Sequence, residues 1–143
     1  MNISTLKIYF CTIVGMVGSF LANLFGGWTE DVVTLVVFMA VDFVMGLIVA
    51  GVFHKSNKSD TGAISSRAGW KGLCKKCVTL VFVLVAHRLD MLLDADYIRT
   101  TAIIGFIANE AISIIENAGL MGIPLPEILT KAIEILKNKG KGE

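Results

Sequence analysis

The feature that most constrains this chain is a series of long apolar runs. The first run, Ile8 to Thr29, contains 22 residues without a charged side chain. A helix that crosses the hydrocarbon core of a bilayer needs about 20 such residues, because each residue advances the helix by about 1.5 Å. A second run of 22 residues, Val32 to Phe53, is interrupted only by Asp42, and two acidic residues connect it to the first run. The two runs predict a pair of membrane helices joined by a tight turn.

The composition supports a membrane protein over a soluble one. Apolar residues make up 55% of the chain and the mean hydropathy is +0.73, whereas charged residues make up only 17%, against about 25% in a typical soluble protein. The formal net charge of +1 provides no basic field for nucleic acid, so we expect no nucleic-acid partner. We therefore predict an all-α integral membrane protein.

Two further apolar runs extend the pattern, and a tight polar turn separates them. The first of the two has the shorter uninterrupted apolar core, Val78 to Ala86, and begins with Lys75 and Lys76, which we expect to snorkel toward the membrane surface. We predict a membrane domain at residues 1–122 with four transmembrane helices, at 8–29, 32–53, 73–93 and 100–122.

The C-terminal segment, residues 123–143, has a different pattern. Its apolar residues recur at the spacing of one face of a helix, with charged residues opposite. Pro124 and Pro126 suit the start of such a helix, and Gly140 suits its end. The segment is too short and polar to span, so we expect an amphipathic cytoplasmic tail that lies on the membrane or packs against copies of itself. The candidate assembly residues are Leu125, Ile128, Leu129, Ile133 and Leu136.

The distribution of lysine and arginine predicts the orientation. Residues 54–72 form a basic loop, and the basic character continues to Cys77. If this loop and both termini are cytoplasmic, eleven of the thirteen basic residues lie inside, while Arg99 lies outside and Arg88 within a segment. A three-crossing arrangement would put the four lysines of the tail on the opposite side. We therefore expect four crossings with both termini in the cytoplasm.

The last two apolar runs carry polar residues at membrane depth. Such residues face a bundle interior or water, and they usually pair. One interpretation is structural pairing between helices, either Arg88 with Glu110 or His87 with Glu116. The other, which we favour for the set as a whole, is that two polar stripes line a water-filled space when copies assemble. The candidates are His87, Arg88, Asp90 and Asp94 on the third run, and Asn109, Glu110, Ser113, Glu116 and Asn117 on the fourth.

Small residues mark candidate helix contacts on the first two runs, since they let backbones approach closely. They serve packing between copies or packing within one chain equally well. Asp42, alone in its segment, has small residues one and two turns further on, so we expect it to seat a close helix contact and not to bind an ion. The candidates are Gly15, Ser19, Ala22 and Gly26 on the first run, and Asp42, Gly46 and Ala50 on the second.

The chain lacks the residue patterns of catalysis and of metal binding. It has no nucleophile elbow, no phosphate-binding glycine loop and no cluster of metal ligands. Cys74 and Cys77 form an isolated C-x-x-C pair, and a zinc site needs two further ligands. We interpret them as two small residues at the start of a helix. We expect neither an enzyme nor a bound cofactor.

The ordered set of segments resembles a known family. The matching pieces are LFGGW at 24–28, FMAVDFVMGLIVA at 38–50, SSRAGWKGLCKKCVTLVFVLVAHRLD at 65–90 and RTTAIIGFIANEAISIIENAGLMGIPLPEILTKAIEIL at 99–136. In this order they resemble the toxin secretion/phage lysis holins, the group that includes the clostridial toxin-secretion holin. Each piece alone is weakly specific, and the order of the pieces carries the resemblance over nearly the whole chain.

The resemblance implies a small protein of the bacterial host's cytoplasmic membrane. It would accumulate harmlessly, then form homo-oligomeric lesions at a set time, through which a cell-wall hydrolase (an endolysin) or a toxin crosses. Two other functions remain open. A small proton-coupled exporter has a similar size but keeps a glutamate in its first helix, and this chain has none there. A membrane adaptor would use the basic loop and the tail to recruit a soluble partner.

Overall fold

The computed structural model describes residues 2–139, except for six side chains near the end of the last helix. All regular structure in this part of the chain is helical. We number the helices α1 to α5 in chain order, and the last turn of α2 widens into a π-helical turn at Val49–Phe53. The bounds are α1 Ile3–Leu24, α2 Glu30–Ile48, α3 Ser66–Leu93, α4 Ile98–Leu120 and α5 Glu127–Lys139.

A glycine turn ends α1 earlier than the sequence predicts. Gly26 and Gly27 have positive φ angles of 77° and 101°, which residues with a side chain rarely adopt. The apolar run continues to Thr29, but the helix stops at Leu24 because the chain reverses at these glycines. At the start of α2, the carboxylate of Asp31 accepts hydrogen bonds from the Val32 amide, at 2.9 Å, and from the Thr29 hydroxyl. This carboxylate also suits the positive end of the helix dipole.

The connection between α2 and α3 is shorter than the predicted basic loop, residues 54–72. His54, in a left-handed conformation, ends the π-helical turn, and α3 already begins at Ser66. The Ser65 hydroxyl caps α3 by accepting a hydrogen bond from the Ala68 amide, at 3.4 Å. Cys74 and Cys77 therefore lie inside α3 and not at a helix start, which corrects the sequence interpretation.

The contacts along the helices fix their relative directions. From one end of α3 to the other, Asp90 meets the first residues of α4, Val83 packs with Ile103, and Lys76 meets Glu110. The two helices are therefore antiparallel. Helices α2 and α4 are parallel, because their first turns meet through Asp31 and Arg99. We call the end near residues 24–30 and 94–97 the turn end, and the end near residues 54–65 the loop end.

Apolar side chains from α2, α3 and α4 form the buried core, which joins these three helices into one packed unit. The core residues are Val32, Leu35, Met39, Val83 and Ile103. By contrast, none of the residues of α1 is buried. A Cβ atom added at Gly15 would meet no other atom within 4 Å. At this position, the small-residue strip of α1 therefore packs against no other helix of the same chain. Its last member, Gly26, does make a close approach, to the ring of His87.

Three helical segments of the described chain are long and apolar enough to cross a membrane: Ile3–Leu24, Glu30–Phe53 and Ile98–Leu120. Helix α3 is longer, at 28 residues, but it is not among them. Its mean hydropathy is reduced by the basic residues of its first turns and by the charged residues near its end. The fourth crossing therefore stays a prediction.

Candidate functional site

A charged centre joins the three packed helices. The ammonium group of Lys76 on α3 lies 2.8 Å from a carboxylate oxygen of Asp42 on α2 and 2.5 Å from one of Glu110 on α4. Asn117 completes the arrangement by donating hydrogen bonds from Nδ2 to the side chain and the backbone carbonyl of Asp42, at 3.0 and 3.4 Å. We call these four residues the Lys76 centre. The two carboxylate side chains are only 7% and 9% exposed and the lysine 14%.

The Lys76 centre lies near the middle of the apolar segments. Asp42 is twelve positions after the first residue of α2, and Glu110 is twelve positions after the first residue of α4. Twelve residues of helix extend about 18 Å, and the hydrocarbon core is about 30 Å thick. An unpaired charge at that depth is costly, whereas a paired and hydrogen-bonded one is tolerated. Lys76 thus contacts the carboxylates of both neighbouring helices and offsets one of their two negative charges.

The helical repeat of the sequence explains why these side chains meet. Lys76, Val83 and Asp90 are spaced by seven residues on α3, so they share one face. Ile103, Glu110 and Asn117 have the same spacing on α4, and all three are buried. The two faces oppose each other in antiparallel order. Val83 and Ile103 therefore pack together in the core, and Lys76 and Glu110 pair on the loop side of them. Asn117, one heptad further along α4, bonds instead to Asp42 of α2.

A second polar cluster closes the turn end. The carboxylate of Asp90 accepts hydrogen bonds from the backbone amides of Ile98 and Arg99, at 2.9 and 2.8 Å, and so caps the start of α4 from a neighbouring helix. The Arg99 guanidinium donates to the Phe25 carbonyl at 2.7 Å and to the Thr29 hydroxyl at 2.6 Å, and lies 3.6 Å from Asp31. These contacts attach the glycine turn to the α3–α4 connection.

The structure contradicts the predicted pairing of Arg88 with Glu110. Arg88 is exposed, and its guanidinium contacts the Met91 sulfur at 3.8 Å. It lies twelve positions from Lys76 along α3, about 18 Å toward the turn end, and so cannot reach the middle of α4. The alternative pair, His87 with Glu116, is separated by more than about 20 Å along the bundle.

The residues predicted to form one polar face of α3 differ in their burial. Asp90 is buried and His87 half-buried. The His87 ring lies against Gly26, where an added Cβ would come within 2.6 Å of it. Asp94 is exposed, because α3 ends at Leu93 and Asp94 adopts a left-handed conformation with a φ of 51°. His87 and Asp90 therefore belong to the turn end.

The predicted stripe on α4 also divides. Glu110 and Asn117 are buried in the Lys76 centre, whereas Asn109 and Glu116 are exposed and Ser113 is half-buried. Asn109 and Ser113 line an open groove between α3 and α4. The stripe thus supplies buried contacts on one side and exposed polar groups on the other.

Two sequence interpretations at the Lys76 centre need correction. Asp42 joins the helices through its charge and not through close backbone approach, and a Cβ added at Gly46 would meet nothing within 4 Å. Ala50 is buried, as a packing residue would be. Lys76 was expected to snorkel outward with Lys75, but only Lys75 is exposed. The seven-residue spacing of Lys76, Val83 and Asp90 is the signal that identifies the inward face.

The remaining candidates lie outside the centre. In the C-terminal segment, Leu125 is half-buried just before α5, and Ile128 and Leu129 are exposed on it. The side chains of Ile133 and Leu136 lie outside the described residues. The three cysteines are free and exposed. Among residues 2–139, no group of three or more His, Cys, Asp or Glu side chains is placed to hold a metal ion.

The comparison with known families identifies the chain. It matches the bacteriophage holin family over residues 19–138, which include both polar clusters. This chain belongs to the bacteriophage holin family. Members of the family are membrane proteins, in agreement with the three apolar helices. No solved structure matches the chain.

Proteins similar to this holin occur in bacteria and in a phage. A protein of Clostridium perfringens, described only as uncharacterized, is 40% identical over 92% of this chain and 95% of its own length. A protein of Halalkalibacterium halodurans with the same description is 40% identical over 80% of this chain and 83% of its own. A protein of Bacillus phage phi105 named "Probable holin" is 28% identical over 73% of this chain and 72% of its own.

Proposed function

We propose that this holin accumulates in the bacterial cytoplasmic membrane and assembles with copies of itself into lesions through which a cell-wall hydrolase passes. The observation that carries the proposal is the division of polar groups on α4. Glu110 and Asn117 are satisfied inside one chain, so a single copy is compatible with the bilayer. Asn109 and Ser113 face an open groove, and assembled copies can turn this row toward water.

The proposed orientation places both termini and the loop end in the cytoplasm, with α3 as a fourth crossing. Cysteines introduced at Asn57 and Ala95, after replacement of the three native cysteines by serine, test it with a membrane-impermeant thiol reagent. We expect position 95 to react in intact cells and position 57 only after permeabilisation. Labelling of position 57 in intact cells would overturn the orientation.

Induced expression in bacteria, together with an endolysin that has no export signal, tests the function. We expect normal growth at first, then an abrupt loss of membrane potential, read with a potential-sensitive dye, followed by lysis. Steady growth with altered drug or pH tolerance would instead indicate an exporter. If neither the membrane permeability nor the tolerance changes, the adaptor function remains as the interpretation.

A pair of matched variants tests the role of Asn109 and Ser113 separately. Asn109→Leu with Ser113→Ala removes polar groups that line the groove, and we expect this variant to accumulate normally but to lyse late or not at all. Asn23→Leu with Ser4→Ala makes the same kinds of change at exposed residues of α1 outside the small-residue strip and should lyse on time. Wild-type timing in the first variant would exclude the row from the lesion.

A further inference from the structure

The groove between α3 and α4 is large enough for a ligand and lies beside the Lys76 centre. Its volume is about 1190 Å³. Its wall on α3 extends from Ala68 to Phe82 and its wall on α4 from Thr101 to Ser113. Fourteen residues of α3 span about 21 Å, of which about 12 Å lie on the loop side of Lys76 and about 9 Å on the turn side.

The two ends of the groove differ in charge. Lys58, Lys71 and Lys75 line it at the loop end, and all three side chains are exposed. No ion pair from the part of the chain that the structure describes involves any of them. The other charged groups that line the groove are Lys76 and its two carboxylate partners. Four lysines therefore stand against two carboxylates, and the unbalanced positive charge is concentrated at the loop end.

The opposite part of the groove is apolar. Val78 and Phe82 on α3 and Ala102 and Phe106 on α4 line it toward the turn end, and Val78 and Phe82 are more than half exposed. Asn109 and Ser113 on α4 also line the groove. Because Glu110 is level with Lys76, Asn109 lies about one residue beyond Lys76 toward the turn end, whereas Ser113 lies level with the turn of α3 between Lys71 and Lys75. The basic and hydrogen-bonding groups therefore share the half of the groove near the loop end, and the apolar walls follow toward the turn end, as the headgroup and the acyl chains do in a phospholipid.

We propose that this groove binds an anionic phospholipid from the leaflet at the loop end. The phosphate contacts Lys58, Lys71 and Lys75, as in other basic pockets between membrane helices. The ester groups accept hydrogen bonds from Asn109 and Ser113, and an acyl chain lies against Phe82 and Phe106. Trp70, 69% exposed beside Lys71, suits the adjacent membrane surface, where tryptophan is enriched.

A helix from a second copy is a poorer occupant of the same groove. Helix α1 has no buried residue and is therefore available for such an insertion. It contains no acidic residue, so it cannot neutralise the three lysines. An anionic lipid supplies the missing negative charge and the apolar chain together.

Native mass spectrometry of the purified full-length protein tests the proposal. The protein is equilibrated in detergent with equal amounts of phosphatidylglycerol and phosphatidylcholine, and the bound lipids are counted on each oligomeric species. We expect preferential retention of phosphatidylglycerol. Replacement of Lys71 and Lys75 by Gln should reduce this preference by roughly 30-fold, because each basic residue near an anionic headgroup raises the affinity by about fivefold.

Two matched controls separate a specific groove from diffuse attraction. Lys55→Gln with Arg67→Gln removes the same charge from exposed residues that do not line the groove, and it should keep the preference. Gly105→Leu fills the groove wall, where an added Cβ has nothing within 4 Å, and should lower retention, whereas Gly15→Leu on α1 should not. Equal loss in both charge variants, no preference in the wild type, or a lipid-free dimer would overturn the proposal. None of these results depends on whether the protein causes lysis.

Discussion

At the scale of single residues, the behaviour of Lys76 follows from its long, flexible stem. A lysine on a membrane helix can direct its ammonium toward the surface or toward the interior, because its apolar stem packs well in either case. Here two buried carboxylates, on α2 and α4, attract it inward. Removal of one partner from a buried ion pair typically costs about 3–5 kcal/mol, because the remaining charge is left uncompensated. Lys75, one residue earlier, has no such partner and is exposed.

The contact between Gly26 and His87 gives a residue-scale prediction. Gly26→Ala places a Cβ atom within 2.6 Å of the His87 ring at a φ of 77°, so both a clash and backbone strain oppose it. Gly27→Ala is a matched control, because its φ of 101° is also strained but no atom lies within 4 Å. We expect a larger loss of thermal stability for Gly26→Ala, measured by unfolding of the purified protein in detergent. A second change, His87→Ala, should recover the difference between the two.

An equal loss at both glycines would show that the close approach of His87 contributes nothing. If His87→Ala does not improve the Gly26→Ala protein, the clash is likewise not the cause.

The polar residues at membrane depth could be predicted from sequence, but their partners could not. Asp42, Glu110 and Asn117 stand out because each interrupts an apolar run. The pairing depends on which turns of α3 and α4 are level with each other, and this is set by where the helices end. The predicted end of α3, at residue 93, agrees with the structure, but the sequence interpretation directed Lys76 toward the membrane surface and so left Arg88 as the cation for Glu110. The assignment of Arg88 to Glu110 was therefore wrong.

At the scale of the elements, the apolar runs located α1 to α4 and the apolar periodicity located α5, whereas local backbone chemistry determined where the helices begin and end. Helix α1 stops at the glycines although the apolar run continues, and α3 starts seven residues before its predicted apolar segment because Ser65 caps it. Composition alone does not reveal either boundary. The same early start makes α3 long and basic at the loop end, where it forms one wall of the groove.

The C-terminal helix gives an element-scale prediction. Ile128 is 79% exposed and Leu129 is also exposed on α5, so the described part of their apolar face is available to a membrane surface or to other copies. We expect replacement of Ile128, Leu129 and Ile133 by Ser to delay or reduce lysis while membrane insertion stays intact. Lysis time after induction and the amount of protein in the membrane fraction measure the two effects.

The matched control for α5 replaces Thr130, Lys131 and Glu134 by Ser, which leaves the apolar residues in place. If the control delays lysis as much as the apolar variant does, the apolar stripe has no special role. Unchanged lysis timing in the apolar variant would remove that role as well.

At the scale of the whole molecule, α2, α3 and α4 form one packed unit. Polar contacts join its helices at two levels, near the middle and at the turn end. The Lys76 centre joins all three helices, and the Arg99 contacts join the glycine turn to α4. Helix α1 is attached through that turn and has no buried residue. The unit can therefore persist if α1 changes its surroundings during the proposed assembly. The order of the helices was predictable from sequence, but this division into a packed unit and a peripheral helix was not.

The most direct test of this account is the thermal stability of Lys76 variants of the full-length protein in detergent. Lys76→Met leaves two buried carboxylates unpaired, and we expect its unfolding temperature to fall by on the order of 10 °C. The exposed neighbour, Lys75→Met, should change little. Asp42→Asn and Glu110→Gln, added to Lys76→Met, should restore more than half of the loss, because no buried charge remains. Equal stability of the two single variants, or a triple variant no better than Lys76→Met, would contradict the charged centre.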